Sequence, residues 1–337
     1  MPKIDITATI SQRIGITTTI PQEVIWASGN IPVDLNNVFI SSLDKEKYLA
    51  RAYRDGFPRT SCPWIAGIYG AIQVMGGIDA LVVVMQGDCS NTHALAETLE
   101  DYGLRIIPFA YPYDGDYELL EVEIRHLADS LGAPWDYVLH YYKKLRPARK
   151  LAAKLDELTW KDNKATGWEN HRWLVETSDF GGDIRNYEKK ITTAISEIEN
   201  RVPLPQKLRL AYVGVPPIFP DIFDEVEKMG ARIVFCETQR QFSLPLHDDD
   251  DIVAAYTEYT YPQSIFQRIE DIKAEITCRD IHGIIHYVQS FCFRQIEDLL
   301  FRRHLDIPIL TIEGENNFEL DERTRVRLEA FVKMLED

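Results

Sequence analysis

The chain has no apolar run long enough to cross a membrane: no window approaches eighteen uninterrupted apolar residues. Its first residues, MPKIDITATISQRIG, also lack the basic start and apolar centre of a signal peptide, so a soluble, cytoplasmic protein is expected. Basic surplus is missing too. Lys and Arg number 37 against 53 Asp and Glu, and the net charge of −16 argues against nucleic acid or an anionic membrane as a partner. A local Arg or Lys patch still leaves room for a small anionic ligand. Cysteines are few: Cys62, Cys89, Cys236, Cys278 and Cys292 are odd in number and widely spaced, with no C-x-x-C pair, which argues against a disulfide framework. Metal ligation, a reactive thiol or plain burial remain for them. G-x-S-x-G, P-loop, H-E-x-x-H and G-x-G-x-x-G motifs are all absent, so a dinucleotide is poorly supported and ATP would have to be handled by a partner.

What is present is ordinary globular composition, 45% apolar and 27% charged over 337 residues, enough for two domains with proper cores. The most informative stretch runs from His282 to Glu315. His282 to Val288 is a β-branched run suited to a buried strand, Arg294 to His304 carries apolar residues at helical spacing, and Ile307 to Ile312 forms the next strand. Cys292 therefore falls at the carboxyl end of a strand and the mouth of a helix, where open α/β sheets place ligands. A helix N-terminus there is expected to acidify the thiol.

An internal echo follows from this. ALVVVMQGDC, a helix and LRIIPFAY parallel GIIHYVQSFC, a helix and IPILTIEG, with Gln86 and Gln289 each three residues before a cysteine. Two βαβ units thus carry a thiol at one topological point, Asp79 to Met85 and Leu104 to Phe109 being the strands of the first. Cys62 joins them: Pro58 and Pro63 bracket a loop whose Thr60 and Ser61 can cap the apolar helix Ile65 to Met75.

Elsewhere the N-terminal region mixes a helical turn, Pro21 to Ser28, with an extended piece at Ile31 to Leu35, and Asp44 to Asp55 reads as an exposed helix. Residues 117–200 turn helical, with helices at Tyr117 to Ser130, Trp135 to Leu158 and Tyr187 to Glu199. Arg201 to Gln206 reads as a linker. A second α/β unit opens with the strand Leu208 to Val215, the helix Asp221 to Met229 and the strand Arg232 to Cys236. HDDDD, at His247 to Asp251, lacks the alternating ligand spacing of a calcium loop and reads as solvated. The expected architecture is α/β: an N-terminal α/β domain over 1–116 with Cys62 and Cys89, a helical insert and connector over 117–200, and a C-terminal α/β domain over 201–337 with Cys292. The second of these domains opens in a Rossmann-like way, and mostly parallel sheets are expected.

If the two sheets face one another, the three thiols can converge. Three thiolates with no fourth partner suit an iron–sulfur cluster with one open iron; zinc with His93 or His286 as fourth ligand, and unliganded thiols, are the competing readings. Cys236 and Cys278 read as small buried hydrophobes.

In order and spacing, IGITTTIPQEVIWASGNIPVDL (Ile14 to Leu35), the SCPW segment, VVVMQGDCSNTHALAE (Val82 to Glu97), YVGVPPIFPDIFDEVEKMGARIV (Tyr212 to Val234), the His282 to Glu315 stretch and RTRVRLEAF (Arg323 to Phe331) resemble the 2-hydroxyacyl-CoA dehydratase and benzoyl-CoA reductase family, including its 2-hydroxyglutaryl-CoA dehydratase D-component subunits. The resemblance implies two Rossmann-like or flavodoxin-like domains and a [4Fe–4S] cluster on Cys62, Cys89 and Cys292 with one iron open. It implies a second, homologous subunit or a second copy, and a separate ATP-hydrolysing iron–sulfur activator. The implied reaction removes water from an (R)-2-hydroxyacyl-CoA: one low-potential electron on the thioester carbonyl gives a ketyl radical, which expels the 2-hydroxyl and acidifies the β-hydrogen. Glu23, Ser61, His93 and His286 are the candidate base or hydrogen-bonding groups. Gln263 departs from the pattern, since many relatives carry a cysteine after the equivalent of Pro262, and the chain is short for a catalytic subunit. An ATP-dependent low-potential reductase, benzoyl-CoA reductase-like or double-cubane-like, and a non-catalytic partner subunit are the alternatives. The double-cubane version needs six cysteine ligands as a rule, and this chain has five cysteines.

Overall fold

Strand-forming residues collect into two separate four-stranded sheets in the computed structural model, which describes residues 11–205, 208–243 and 250–336. Residues 247–249 of the acidic run and Gln206 of the expected linker lie outside the described residues. The first sheet contains β1 (Arg13–Ile16), β2 (Ile31–Asp34), β3 (Ala80–Gln86) and β4 (Arg105–Ala110) in the order β2-β1-β3-β4. The second contains β5 (Leu208–Gly214), β6 (Ala231–Cys236), β7 (Gly283–Gln289) and β8 (Ile309–Gly314) in the order β6-β5-β7-β8. Every pairing is parallel. This is the α/β architecture expected, with flavodoxin-like strand order in both halves.

The echo in the sequence is now placed. β3 and β7 hold the same position in their sheets, each next to the first strand of its half. Their β-branched runs are continuous because helices cover both faces: β7 is buried along its whole length and β3 from Ala80 to Val84. The strand order reverses between β1 and β3, and again between β5 and β7. These two switch points leave crevices at the strands' carboxyl ends, and the chain segments that follow those strands line one common cavity.

Three local expectations are corrected. β1 was not foreseen, although it is central: RIGI is only four residues long and follows a polar stretch. The helix Leu35–Ser41 begins where extended chain was expected, because the Asp34 carboxylate accepts from the N–H groups of Asn36 and Asn37 and so starts a helix at the strand's end. The helix expected over Arg294 to His304 is divided into a 3-10 turn, Phe293–Glu297, and the short helix Asp298–His304.

The helical region holds the helices Tyr117–Leu131, Trp135–Trp160, Gly167–Val175 and Ile184–Glu199. The third starts at a capping box, in which Thr166 Oγ1 accepts from Glu169 N and the Glu169 carboxylate accepts from Thr166 N. None of the helices among the described residues is long and apolar enough to cross a membrane. Cores are shared across the chain. Phe242, Ile252, Val253 and Tyr256 pack with the first sheet, and the helix Pro63–Met75 packs into a cluster that also contains Leu210, Tyr212 and Ile233 of the second. Arg279 fixes the second half to the long helix by donating to both carboxylate oxygens of Asp156, at 2.9 and 2.7 Å.

Candidate functional site

A cavity of about 940 Å³ opens at the two switch points, and Cys62, Cys89 and Cys292 all line it. Each thiol stands at the N-cap of a helical element. Cys62 precedes Pro63–Met75, with Pro63 at a position where its missing N–H costs nothing; Cys89 precedes Ser90–Asp101, and Cys292 precedes the 3-10 turn. Backbone N–H groups of the first turn therefore face sulfur: those of Trp64 and Ile65 at Cys62, of Asn91 and Thr92 at Cys89, the latter also donating to Cys89 O at 3.0 Å, and of Arg294 at Cys292.

Two backbone features aim the strand-end thiols. Gly87, between β3 and Cys89, has φ +102°, and a Cβ there would lie 2.6 Å from Pro262 Cβ, so only glycine permits this approach of the two halves. Phe291, immediately before Cys292, holds φ +65°, a conformation that non-glycine residues rarely adopt.

The expected acidification of the thiols is not found. Burial pushes the Cys62 thiol up to about 12 and raises Cys89 and Cys292 as well, outweighing their N–H donors. Loss of water around a thiolate costs more than the first turn of a helix returns, so these groups stay neutral until a cation arrives.

Behind Cys292 lies a buried chain of alternating charges. Arg268, fully buried, donates through Nε and Nη2 to the Glu237 carboxylate at 2.7 and 3.0 Å, and through Nη1 to Glu297. Glu297 accepts in turn from Arg294 Nη1 at 2.8 Å, and Arg294 lines the cavity beside Cys292. Each charge is paired, which is the condition for keeping them in a core.

The other candidate residues lie apart from the cavity lining. Glu23 is fully buried, paired with Arg149 at 2.6 Å and accepting from Tyr256 Oη at 2.8 Å. Ser61 Oγ donates to Pro58 O at 2.7 Å. His93 Nε2 contacts Met85 O at 2.5 Å, and His286 Nδ1 meets Asp298 Oδ1 at 2.9 Å. None of the four is among the cavity-lining residues. Among the described residues, no three His, Cys, Asp or Glu side chains form a group able to hold a single metal ion.

Several lining residues had no signal in the sequence. His171 and Trp168 enter from Gly167–Val175, so the helical region builds one wall. Burial lowers His171 to about 3, leaving it neutral, and its Nδ1 accepts from Gln239 Nε2 at 3.1 Å. Thr17 Oγ1 and Trp64 Nε1 are buried without a hydrogen-bond partner among the described residues. Buried polar atoms of this kind are rare and mark places where a ligand completes the site. Asp34 and Asp179 also line the cavity.

With this geometry in view, the comparison with known families is specific. The model of the family described as 2-hydroxyglutaryl-CoA dehydratase, D-component, matches residues 17–335, and the chain belongs to that family. No curated protein matches it.

Proposed function

We propose that this member of the 2-hydroxyglutaryl-CoA dehydratase D-component family is the iron–sulfur subunit of its enzyme, with Cys62, Cys89 and Cys292 holding a [4Fe–4S] cluster in the cavity. The observation that carries this reading is the lining of one cavity by three thiols, each facing backbone N–H groups. Thiols kept neutral by burial but supplied with N–H donors fit a positively charged metal core, which turns them into thiolates stabilised by those donors. His93 and His286 use ring nitrogens elsewhere, which favours three thiols over a zinc site with a histidine.

When bound, such a cluster supplies a low-potential electron and an open iron as Lewis acid for loss of the 2-hydroxyl of an (R)-2-hydroxyacyl-CoA. The chain's own residues hold and enclose the substrate. Ile65, Ile68, Val215 and Pro216 present apolar walls that exclude water. Thr17 Oγ1 and Trp64 Nε1 remain free to donate to ligand oxygens. Arg13 and Arg172, also lining the cavity, bring positive charge suited to an anionic thioester. A homologous subunit or a second copy completes the enzyme, and a separate ATP-hydrolysing iron–sulfur activator delivers the electron, since this chain has no P-loop. The cytoplasm is the compartment in which we place it.

Anaerobic purification with iron and acid-labile sulfide determination tests this. About four irons per chain are expected. Cys62→Ala, Cys89→Ala and Cys292→Ala should each abolish the cluster, whereas Cys236→Ala and Cys278→Ala should retain it. An iron-free protein after anaerobic reconstitution, or equal tolerance at all five positions, would sink the assignment.

A further inference from the structure

Besides the three thiols, the cavity wall carries carboxyl groups with no ion-pair partner among the described residues, and two of them, Asp34 and Asp179, belong to residues in direct contact. Asp34 ends β2, and its backbone N–H donates to Asp179 Oδ2 at 2.7 Å. Ser178 Oγ donates to Asp34 Oδ2 at 2.6 Å, and Gly181 N donates to Asp179 Oδ1 at 2.8 Å. Both side chains line the cavity, at 4% and 6% exposure, and neither has an ion-pair partner among the described residues. The nearest charges do not compensate them. Glu176, from the adjoining 3-10 turn, adds repulsion, while Arg172 on Gly167–Val175 and Lys190 on Ile184–Glu199 act on Glu176. Leu35–Ser41 and the segment Thr17 to Thr19 contribute no charge.

A second observation points to a ligand at the same place. Ile16 pairs with Asp34 across the sheet, so Thr17 stands one residue beyond that pair. Thr17 is 5% exposed and lines the cavity, and its Oγ1 has no partner among the described residues.

We propose that Asp34 and Asp179 are the proton-transfer pair of this cavity, holding one proton between them and exchanging it with an acyl ligand whose oxygen Thr17 anchors. The inference rests on the dehydratase reading above. Two buried carboxyls on one wall, with Asp179 accepting from the backbone N–H of Asp34, cannot both ionise without large cost; burial raises both, and Asp179 is pushed up to about 7, also by the charge of Asp34. Such a pair is poised to give or take a proton at neutral pH. Elimination of water takes a proton from the β-carbon and hydroxide from the 2-carbon. In sum the electron pair of the C–H bond becomes the second bond between the carbons, and the proton and hydroxide leave as water. The ionised carboxylate accepts the carbon's proton, its protonated neighbour gives one to the departing hydroxyl, and the pair ends with the proton count it began with.

Asn at position 179 keeps one of the two backbone N–H bonds, because its single amide oxygen accepts from Asp34 N or from Gly181 N but not from both, whereas Asn at position 34 still accepts from Asn36 N and Asn37 N through Oδ1 and can donate its amide to Ser178 Oγ. Both variants lose the titrating proton shared by the pair. Difference infrared spectroscopy of the full chain, purified anaerobically and titrated between about pH 5 and 9, separates a purely structural pair from a titrating one. Wild-type protein should show a protonated-carboxyl band that disappears near neutral pH and shifts when a 2-hydroxyacyl-CoA is added. Asp179→Asn should lack that titration while keeping its iron, and Asp34→Asn should displace it. Thr17→Val should weaken acyl-CoA binding about tenfold. No titrating band in wild type, an unchanged band in both variants, or a band indifferent to the acyl-CoA overturns the proposal. An iron-free protein with the band and its ligand shift intact would overturn the cluster assignment and support the pair.

Discussion

Asp34 N and Asp179 Oδ2 lie 2.7 Å apart although 145 residues separate them, so the end of β2 and the turn after Gly167–Val175 form one wall of the cavity. The contact shapes how stability depends on pH. The folded Asp179 carboxyl titrates at about 7 against an ordinary 3.8, because burial and the Asp34 charge disfavour its ionised form. A raised carboxyl stabilises the fold fully below its unfolded value, and that contribution is lost as pH rises through the folded value. Wild-type protein should therefore lose roughly 1–4 kcal/mol between about pH 4 and 8 from this group. Asp179→Asn should flatten the dependence, gaining on wild type as pH rises. Urea midpoints across that range measure it, and parallel curves for the two proteins would contradict it.

Glu23 behaves as a structural anchor in this fold. Its carboxylate is enclosed by Arg149 and Tyr256, joining Gln22–Ala27 to the long helix Trp135–Trp160 and to Ile252–Thr257. Removing one partner of a buried pair strands the other charge, so Glu23→Ala should cost about 3–5 kcal/mol. A Glu23→Leu, Arg149→Met double variant should recover more than half of that. Acyl-CoA affinity per folded molecule should stay within about twofold, since neither residue lines the cavity. A large affinity loss in a stable double variant would restore Glu23 as a ligand-contacting group.

These residues also show what could be read from the chain alone. β3 and β7 were legible because a buried parallel strand needs a continuous β-branched run, and both carry one. Cys89 and Cys292 were legible as thiols at the mouths of helices because a strand end fixes where each helical element starts, whereas Thr60 and Ser61 were read as the caps of the helix that starts at Pro63 with Cys62 as its N-cap. β1 was hidden by its four-residue length, and Gly167–Val175 left one usable sign, the Thr166 and Glu169 capping spacing. The Asp34 and Asp179 pair had no sequence signal. Each residue reads as an ordinary cap or turn acid, and what changes its chemistry is a contact made only on folding. The raised thiols were missed for the same reason: local helix geometry predicts acidification, whereas burial depends on the whole fold.

Gly87 couples backbone geometry to the Cys89 loop. Its φ of +102° and the 2.6 Å approach to Pro262 Cβ mean that Gly87→Ala must both strain the backbone and push the halves apart. The expected cost is about 2–4 kcal/mol. Gly103→Ala is the control, because Gly103 also has positive φ, +86°, but open space around its Cβ direction. That variant should lose only about 1 kcal/mol. Iron retention should fall in Gly87→Ala and not in Gly103→Ala, as measured by iron content after gel filtration. Equal behaviour of the two variants would show that the approach to Pro262 does not position Cys89.

Arg268 is the residue on which the Cys292 side of the cavity depends. Its guanidinium is the only cation bonded to the Glu237 side chain among the described hydrogen bonds, and it also holds Glu297, which orients Arg294. Burial alone would raise the Glu237 carboxyl, but Arg268 outweighs it and holds the group below its ordinary range. Arg268→Met therefore removes the middle of an alternating chain and leaves two carboxylates without their shared partner, a loss of about 3–5 kcal/mol. The effect should be uneven in space. Gly214 N still has the Glu237 carboxylate to donate to, so the β5 end should hold, whereas Arg294 loses the fixed position of Glu297. Hydrogen exchange should accordingly rise most across residues 290–298, and a Glu237→Leu, Arg268→Met double variant should be more stable than Arg268→Met alone. Uniform loss of protection over the chain would mean that Arg268 supports the core in general and not the Cys292 turn.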